Sequence, residues 1–209
     1  PFVNDKDKLE GWDYIIFTNV NLEDFGDCGW TVIKKELANN HPIYTSRYYK
    51  WIVTSHLSEY DIGIYVDAYM APANIDWDVY TDQLSVDDIS NGIILKKHPV
   101  RNCIYDECIA IPKCGKDTKQ NMDRVIEFLN SEGMPKGYGL GEGGLFIRDL
   151  RNEKVNNMCG ELFLLMLRFT YRDQALLSYV FWKHGVKVNC QLTKDLCFIS
   201  GTLGHHKYY

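Results

Sequence analysis

The residues that could do chemistry in this chain are carboxylates and cations set into otherwise apolar segments. Asp67 stands first among them. It ends the apolar run of GIYVDAYMA, and a carboxylate at the end of a buried strand is costly unless something binds it. A divalent cation would bind it and could in turn neutralise a diphosphate. Capping of the following turn would serve Asp67 equally well. Asp76 and Asp78, in IDWD, form the nearby Asp-x-Asp pair. They could reach a metal if their loop folds back, or stand as a solvated acidic loop. Arg47 and Lys50 lie one turn apart on a predicted helix and so share a face. They could clamp phosphates or simply face solvent.

GYGLGEGG, from Gly137, is rich in glycine. It is not a P-loop, because no Gly-Lys-Ser/Thr follows, and not a dinucleotide fingerprint, because the helix precedes it and a strand follows. Its glycines would let a ligand approach the backbone around Glu142, or make a plain turn. Arg172, Asp173 and Gln174 sit where a helical stretch resumes. Asp173 could cap that helix with Arg172 as its ion-pair partner, or face a sugar-bearing cleft. His205 and His206, in LGHHKYY, could be exposed, or one could fold back as a metal ligand with Lys207 on a phosphate.

Positioning these groups falls to alternating elements. DYIIFTN and WTVIKKEL read as strands, with the first buried. RYYKWIVTSHLSEY reads as a helix and YDIGIYVDAY as a buried strand. APANIDWDVYTDQLSVDDISNG reads as an acidic loop region, IILKKHP as a strand, and CIYDECIAI as a helix or a strand. KDTKQNMDRVIEFLNSEG is the clearest helix: Met122, Val125, Ile126 and Leu129 follow the i, i+3, i+4, i+7 rule, and Gly133 is a natural C-cap. GYGLGEGGLFIRD reads as a turn leading into a strand. MCGELFLLMLRF and RDQALLSYVFWKHG follow as two helices or one broken near Thr170. KVNCQL and CFISGT could be closing strands. The alternation predicts an α/β fold with a mostly parallel sheet flanked by helices. Ligands in such folds sit beyond the carboxyl ends of the strands, which directs attention to Thr18, Asn19, Asp67, His98 and Arg148.

Length and composition narrow the function classes. The chain has 209 residues, which suits one domain spanning residues 1–209. A net charge of −5 argues against a nucleic-acid binder and leaves room for a small basic pocket. No apolar run approaches the ~20 residues of a membrane span. The N-terminus PFVNDKDKLEGW is too polar for a signal peptide, and without a Met it suggests a start inside a longer polypeptide. Seven cysteines occur without a CxxC pair, which argues against structural zinc and for reduced, mostly buried thiols in the cytoplasm.

In order along the chain come a strand ending Phe-Thr-Asn, an Arg and Lys on a helix, a strand ending V-D-A, KHPVRNCIYDE, GLGEGGLFIRD, and RDQALLSYVFWKHG. This ordered set resembles the GT-A glycosyltransferases, and within them the DUF616-type group, from about Asp13 to Gly185. The resemblance implies a single GT-A, Rossmann-like domain. It implies transfer of a glucose- or rhamnose-like hexose from a UDP-sugar to a glycan hydroxyl, with retention and with Mn²⁺ or Mg²⁺. The expected partners are a nucleotide-sugar donor and a glycan acceptor. Phe17, Thr18 and Asn19 would form the nucleoside-binding edge, and Arg47, Lys50 and Lys207 would meet the phosphates. Asp67-Ala68-Tyr69 takes the place of an Asp-x-Asp metal element and lacks its second acid. The resemblance therefore points to His205 or His206 as the further ligand, or to Asp76 or Asp78, with Tyr69 lining the sugar pocket. It implies Asp173 as the carboxylate beside the anomeric carbon and Glu142 as the next candidate. Binding of a nucleotide sugar or glycan without turnover is the alternative.

Overall fold

A computed structural model describes residues 8–19, 29–35, 41–52, 56–68, 70–72, 75–192 and 197–199. In chain order the elements are β1 (Ile15–Thr18), β2 (Thr31–Lys34), α1 (Pro42–Trp51), β3 (Ile62–Val66), β4 (Met70–Pro72) and α2 (Asp78–Thr81). Then come β5 (Ile93–Lys97), α3 (Ile104–Lys113), α4 (Lys119–Ser131), β6 (Gly141–Asp149), α5 (Glu153–Phe169), α6 (Leu177–Lys183) and β7 (Cys197–Ile199). The class is mixed α/β. No described helix is long and apolar enough to cross a membrane.

The central sheet has the order β3-β6-β5, and both of its pairings are antiparallel. β1 and β2 pair in parallel, and β4 pairs antiparallel with β7. The expectation of a mostly parallel sheet is therefore corrected. β3 and β5 do run in the same direction, as strand–helix alternation requires. β6 enters between them from the opposite end, and no hydrophobic pattern encodes which gap a later strand fills. The reversal has a consequence for the site. Arg148, near the end of β6, pairs with Gly63 and Ile93 near the starts of β3 and β5. It lies at the edge opposite to Asp67, while Glu142 and the glycines that begin β6 join the Asp67 edge.

Alternate residues of the sheet feed two cores. Ile93, Leu95 and Phe146 join Trp51 and the inner faces of α3 to α6 in the larger one. Ile94, Leu145 and Ile147 join Trp77 and Leu192 in a smaller one on the other face. Both faces of β5 and β6 are covered, so their sequences read as nearly continuous apolar runs. β1 and β3, expected to be buried, are half-buried along their lengths, because a cavity lies between them.

Local signals account for the helix ends. The Thr118 side chain accepts from the Asn121 amide at 3.1 Å and starts α4. Gly133, at φ 76°, ends it, with the Met134 amide reaching back to the Leu129 carbonyl at 3.0 Å, a Schellman arrangement that favours glycine. Thr118→Ala should lower stability by about 1 kcal/mol in chemical denaturation. CIYDECIAI, left open between helix and strand, is helix α3, and the long helical stretch does break at Thr170, the C-cap of α5. The acidic region is more ordered than a loop, containing β4, α2 and a 3₁₀ turn at Ile89–Asn91. Asn152, fully buried, ties that region to α5 by donating to the Ser85 carbonyl at 2.7 Å while accepting from the Val155 amide.

Candidate functional site

The ends of β3 and β5 and the beginning of β6 form one edge, and α1 and the Asp173–Ala175 turn pack charged groups against it. Asp67 leaves β3 with its amide bonded to the Gly144 carbonyl at 2.9 Å. Its Oδ1 accepts from the Tyr65 hydroxyl at 2.9 Å. Residues two apart on a strand point to the same side, so the Y-V-D spacing sets up this bond.

Asp173 is the centre of charge. Its Oδ2 lies 2.6 Å from Lys50 Nζ and accepts from Trp51 Nε1 at 3.1 Å. Its Oδ1 accepts from the Gln174 amide at 3.0 Å and lies 3.9 Å from Arg47 Nε. Lys50 Nζ also stands 3.9 Å from Asp67 Oδ1, so one ammonium bridges the two carboxylates. Lys50 is only 3% exposed, and its Nζ sits 5.0 Å from the Tyr65 ring centre and 5.2 Å from that of Trp51, a placement that aromatic faces favour. Burial alone would raise the Asp173 carboxyl. The charges of Lys50 and Arg47, with Arg172 beyond them, outweigh burial and hold it well below the usual carboxylate range. The same pairing raises Arg47. Burial, then the neighbouring Asp67 charge, pushes the Tyr65 phenol well above its ordinary value, so Tyr65 is a donor to Asp67 at neutral pH.

The cluster packs closely over glycines of β6. A Cβ on Gly143 would stand 3.0 Å from Lys50 Nζ and 3.4 Å from Asp173 Oδ2, and one on Gly144 would stand 3.3 Å from Asp67 Oδ2. Gln174 completes the join. Its side chain donates to the Gly141 carbonyl and accepts from the Gly143 amide at 3.3 Å, satisfying backbone groups at the start of β6.

Beside the cluster lies a cavity of about 600 Å³ lined by β1, α1 and β3, with Phe17, Thr18, Asn19, Tyr49, Lys50, Tyr65 and Ala68 among its walls. Its size falls within the range typical of small-ligand sites, ~300–1,000 Å³. Phe17 stacks on Tyr49 with ring centres 5.0 Å apart. Lys50 and Ala68 mark where the cavity meets the charged edge.

Other expected residues lie elsewhere. Glu142 is paired with Lys96 at 2.9 Å. Asp76 is exposed, and its Oδ1 accepts from the Asp78 amide at 3.0 Å, the turn-forming role of an acidic loop. Asp78 also reaches the cavity wall. His98 is buried, accepts from the Arg101 amide at 3.0 Å and lies 3.4 Å from Glu107, which pairs with Arg101 Nε at 2.5 Å. The His-Pro-x-Arg…Glu landmarks thus tie the end of β5 to α3. Tyr69, His205, His206 and Lys207 lie outside the described residues. Cys103, Cys108, Cys114, Cys159 and Cys190 are free thiols. Burial lifts Cys108 to about 12 and Cys190 to about 11, so neither is a ready nucleophile.

The donor set can be tested against the Mn²⁺ or Mg²⁺ that the resemblance implies. Among the described residues no group of three or more His, Cys, Asp and Glu is placed to share an ion. Asp67 offers one carboxylate, already bonded to Tyr65 and facing Lys50, and Asp173 is neutralised by its cations. A hard divalent cation takes several oxygen ligands, and of the ligands that the resemblance implies only Asp67 is among the described residues.

Sequence reasoning named Arg47, Lys50, Asp67 and Asp173 separately. It missed that one lysine joins the two acids, and it missed the contributions of Tyr65, Trp51 and Gly143. Compared with known proteins, the chain matches no family model, and neither a curated protein nor a solved structure is significantly similar to it.

Proposed function

We propose that this chain is a glycosyltransferase. It moves a glucose- or rhamnose-like hexose from a UDP-sugar to a glycan hydroxyl, with retention at the anomeric carbon. The observation that carries the reading is the junction at Lys50, which lines an aromatic-walled cavity of ligand size and is also the cation that bridges Asp67 and Asp173 at the strand-end edge. The uridine, the sugar class and the stereochemistry come from the resemblance in the ordered landmarks.

The chemistry follows from charge. As the anomeric C–O bond breaks, negative charge builds on the departing diphosphate, and preorganised cations stabilise it. Arg47 and Lys50 fill that role. The acceptor hydroxyl gives its proton to the leaving phosphate, the base that the reaction itself supplies. Both oxygens of Asp173 are engaged by the protein, so in this reading Asp173 is a positioning residue that holds Lys50 and Arg47. Glu142 acts at the same edge through Lys96.

The test is UDP release from a panel of UDP-hexoses and UDP-deoxyhexoses with oligosaccharide acceptors. We expect slow release without acceptor, faster release with the right one, and a fall of roughly tenfold or more in Lys50→Gln, the loss of one charged hydrogen bond. UDP binding with no turnover across the panel would instead favour a non-catalytic binding domain. That second reading is motivated by Asp67-Ala68-Tyr69, where a second acid is missing.

A further inference from the structure

We infer that the cavity between β1, α1 and β3 takes a small apolar carboxylic acid, whose carboxylate pairs with Arg148 and whose body lies along the aromatic and aliphatic walls. The inference stands apart from the glycosyltransferase reading. Arg148 lies at the edge opposite to Asp67 and takes no part in that reading.

Arg148 is 1% exposed. Its Nη1 donates to the Trp51 carbonyl at 3.0 Å, at the end of α1. Its Nη2 is buried and has no hydrogen-bond partner. No acid of the described residues answers its charge. Asp149 follows it on β6 and so points to the other face of the sheet, where it pairs with Arg151 at 2.9 Å. The nearby Cys159 thiol brings no charge, because burial holds it above its ordinary value and so protonated. A buried charge without a counterion is costly, and a buried donor without an acceptor is rare. A carboxylate answers both, neutralising the charge and matching the planar fork of the guanidinium. A neutral carbonyl would satisfy the donor and leave the charge. A phosphate dianion would bring a second charge into an apolar space.

Arg148 lines the cavity of about 600 Å³, so its guanidinium is a charged wall that a ligand there meets. Ile16, Phe17, Leu57, Ile64 and Trp77 also line it, which suits an apolar body. Asp13, Asp61 and Asp78 line it too, but all three are exposed. Asp61 is 3.3 Å from Arg151, and Asp13 accepts from the Tyr60 hydroxyl at 2.7 Å. Lys50, another lining cation, is already answered by Asp173 at 2.6 Å. A cavity of this volume holds a small molecule, so the counterion is a single small acid and not a segment of another protein.

Calorimetry on the whole chain tests this with two acids, 1-naphthylacetate and octanoate, and with 1-naphthylacetamide as the uncharged match. We expect both acids to bind and the amide to bind roughly tenfold or more weakly, the worth of a charged hydrogen bond. Arg148→Met should weaken both acids by roughly the same factor, with its denaturation midpoint recorded as a folding control. Lys35→Gln, which removes a different lining cation, should change acid binding by less than about threefold. If Arg148→Met does not fold, the acid–amide comparison and Lys35→Gln decide the matter on folded protein. Undiminished acid binding by Arg148→Met means that Arg148 serves only the end of α1, and overturns the proposal. So does loss of acid binding in Lys35→Gln, an amide that binds as tightly as its acid, or no binding of either acid to the native chain.

Discussion

Asp173→Ala should cost the fold about 3–5 kcal/mol, the range for removing one partner of a buried ion pair, and should be among the most damaging single changes in this chain. Lys50, 3% exposed, would be left with Asp67, 3.9 Å away, as its remaining acidic neighbour. The Trp51 indole N–H and the Gln174 amide would each lose their acceptor. Urea denaturation measures the loss directly, as a lower midpoint at unchanged slope. Acid dependence provides a second reading of the same interaction. The folded-state pKa of Asp173 is depressed, so its stabilisation is fully present above the unfolded value of about 3.9. It is lost progressively as pH falls below that value toward the folded one. Denaturation curves from about pH 6 down to about pH 3 should therefore show an acid limb in the native chain that is flatter in Asp173→Asn. Equal acid limbs in the two proteins would mean that Asp173 is not the buried anion described here.

Trp51→Ala should be comparably damaging, about 3–5 kcal/mol, the usual cost of emptying a buried aromatic site. Trp51 is 1% exposed and stacks on Phe146 with ring centres 4.8 Å apart. On its other side Phe146 stacks on Tyr65 at 4.9 Å. This row of rings connects α1, β6 and β3, and both of its ends reach the site: Trp51 holds Asp173, and Tyr65 holds Asp67. The two roles can be separated. Trp51→Phe keeps an aromatic in the row while removing the N–H and part of the ring volume, so it should cost about 2 kcal/mol and should weaken UDP binding less than Trp51→Ala does. If the two variants behave alike in both measurements, the hydrogen bond to Asp173, not the packing, dominates.

Much of the scaffold was legible from patterning. The period of Met122, Val125 and Leu129 marks the buried face of α4, and all three are at most 1% exposed. The apolar runs IILKK and IGIYV are strands β5 and β3. Gly133 and Thr118 bracket α4 because capping depends on local backbone geometry and nearby donors, which a short sequence window contains. CIYDECIAI was ambiguous because short apolar runs fit either period; its packing against α4 and the Asp173–Ala175 turn settles it as helix.

The sequence by itself determined which residue types could bind an anion or a metal, and that Asp67 would stand at a strand end. Arg47 and Lys50 were recognisable as one face of a helix, and Asp173 as the opening of a turn. Only the tertiary structure decided that these groups are one cluster. Lys50 and Asp173 are far apart in the chain, and they meet beside the start of β6, which runs antiparallel between β3 and β5 and packs against them at Gly143. It also decided that Arg148, a strand-end candidate by sequence, lies at the opposite edge. The physical reason is range: capping and periodicity act over a few residues and are written locally. Strand order, by contrast, is set by how the whole apolar surface is buried, and the electrostatic partner of a buried charge is whatever that packing brings within a few ångströms.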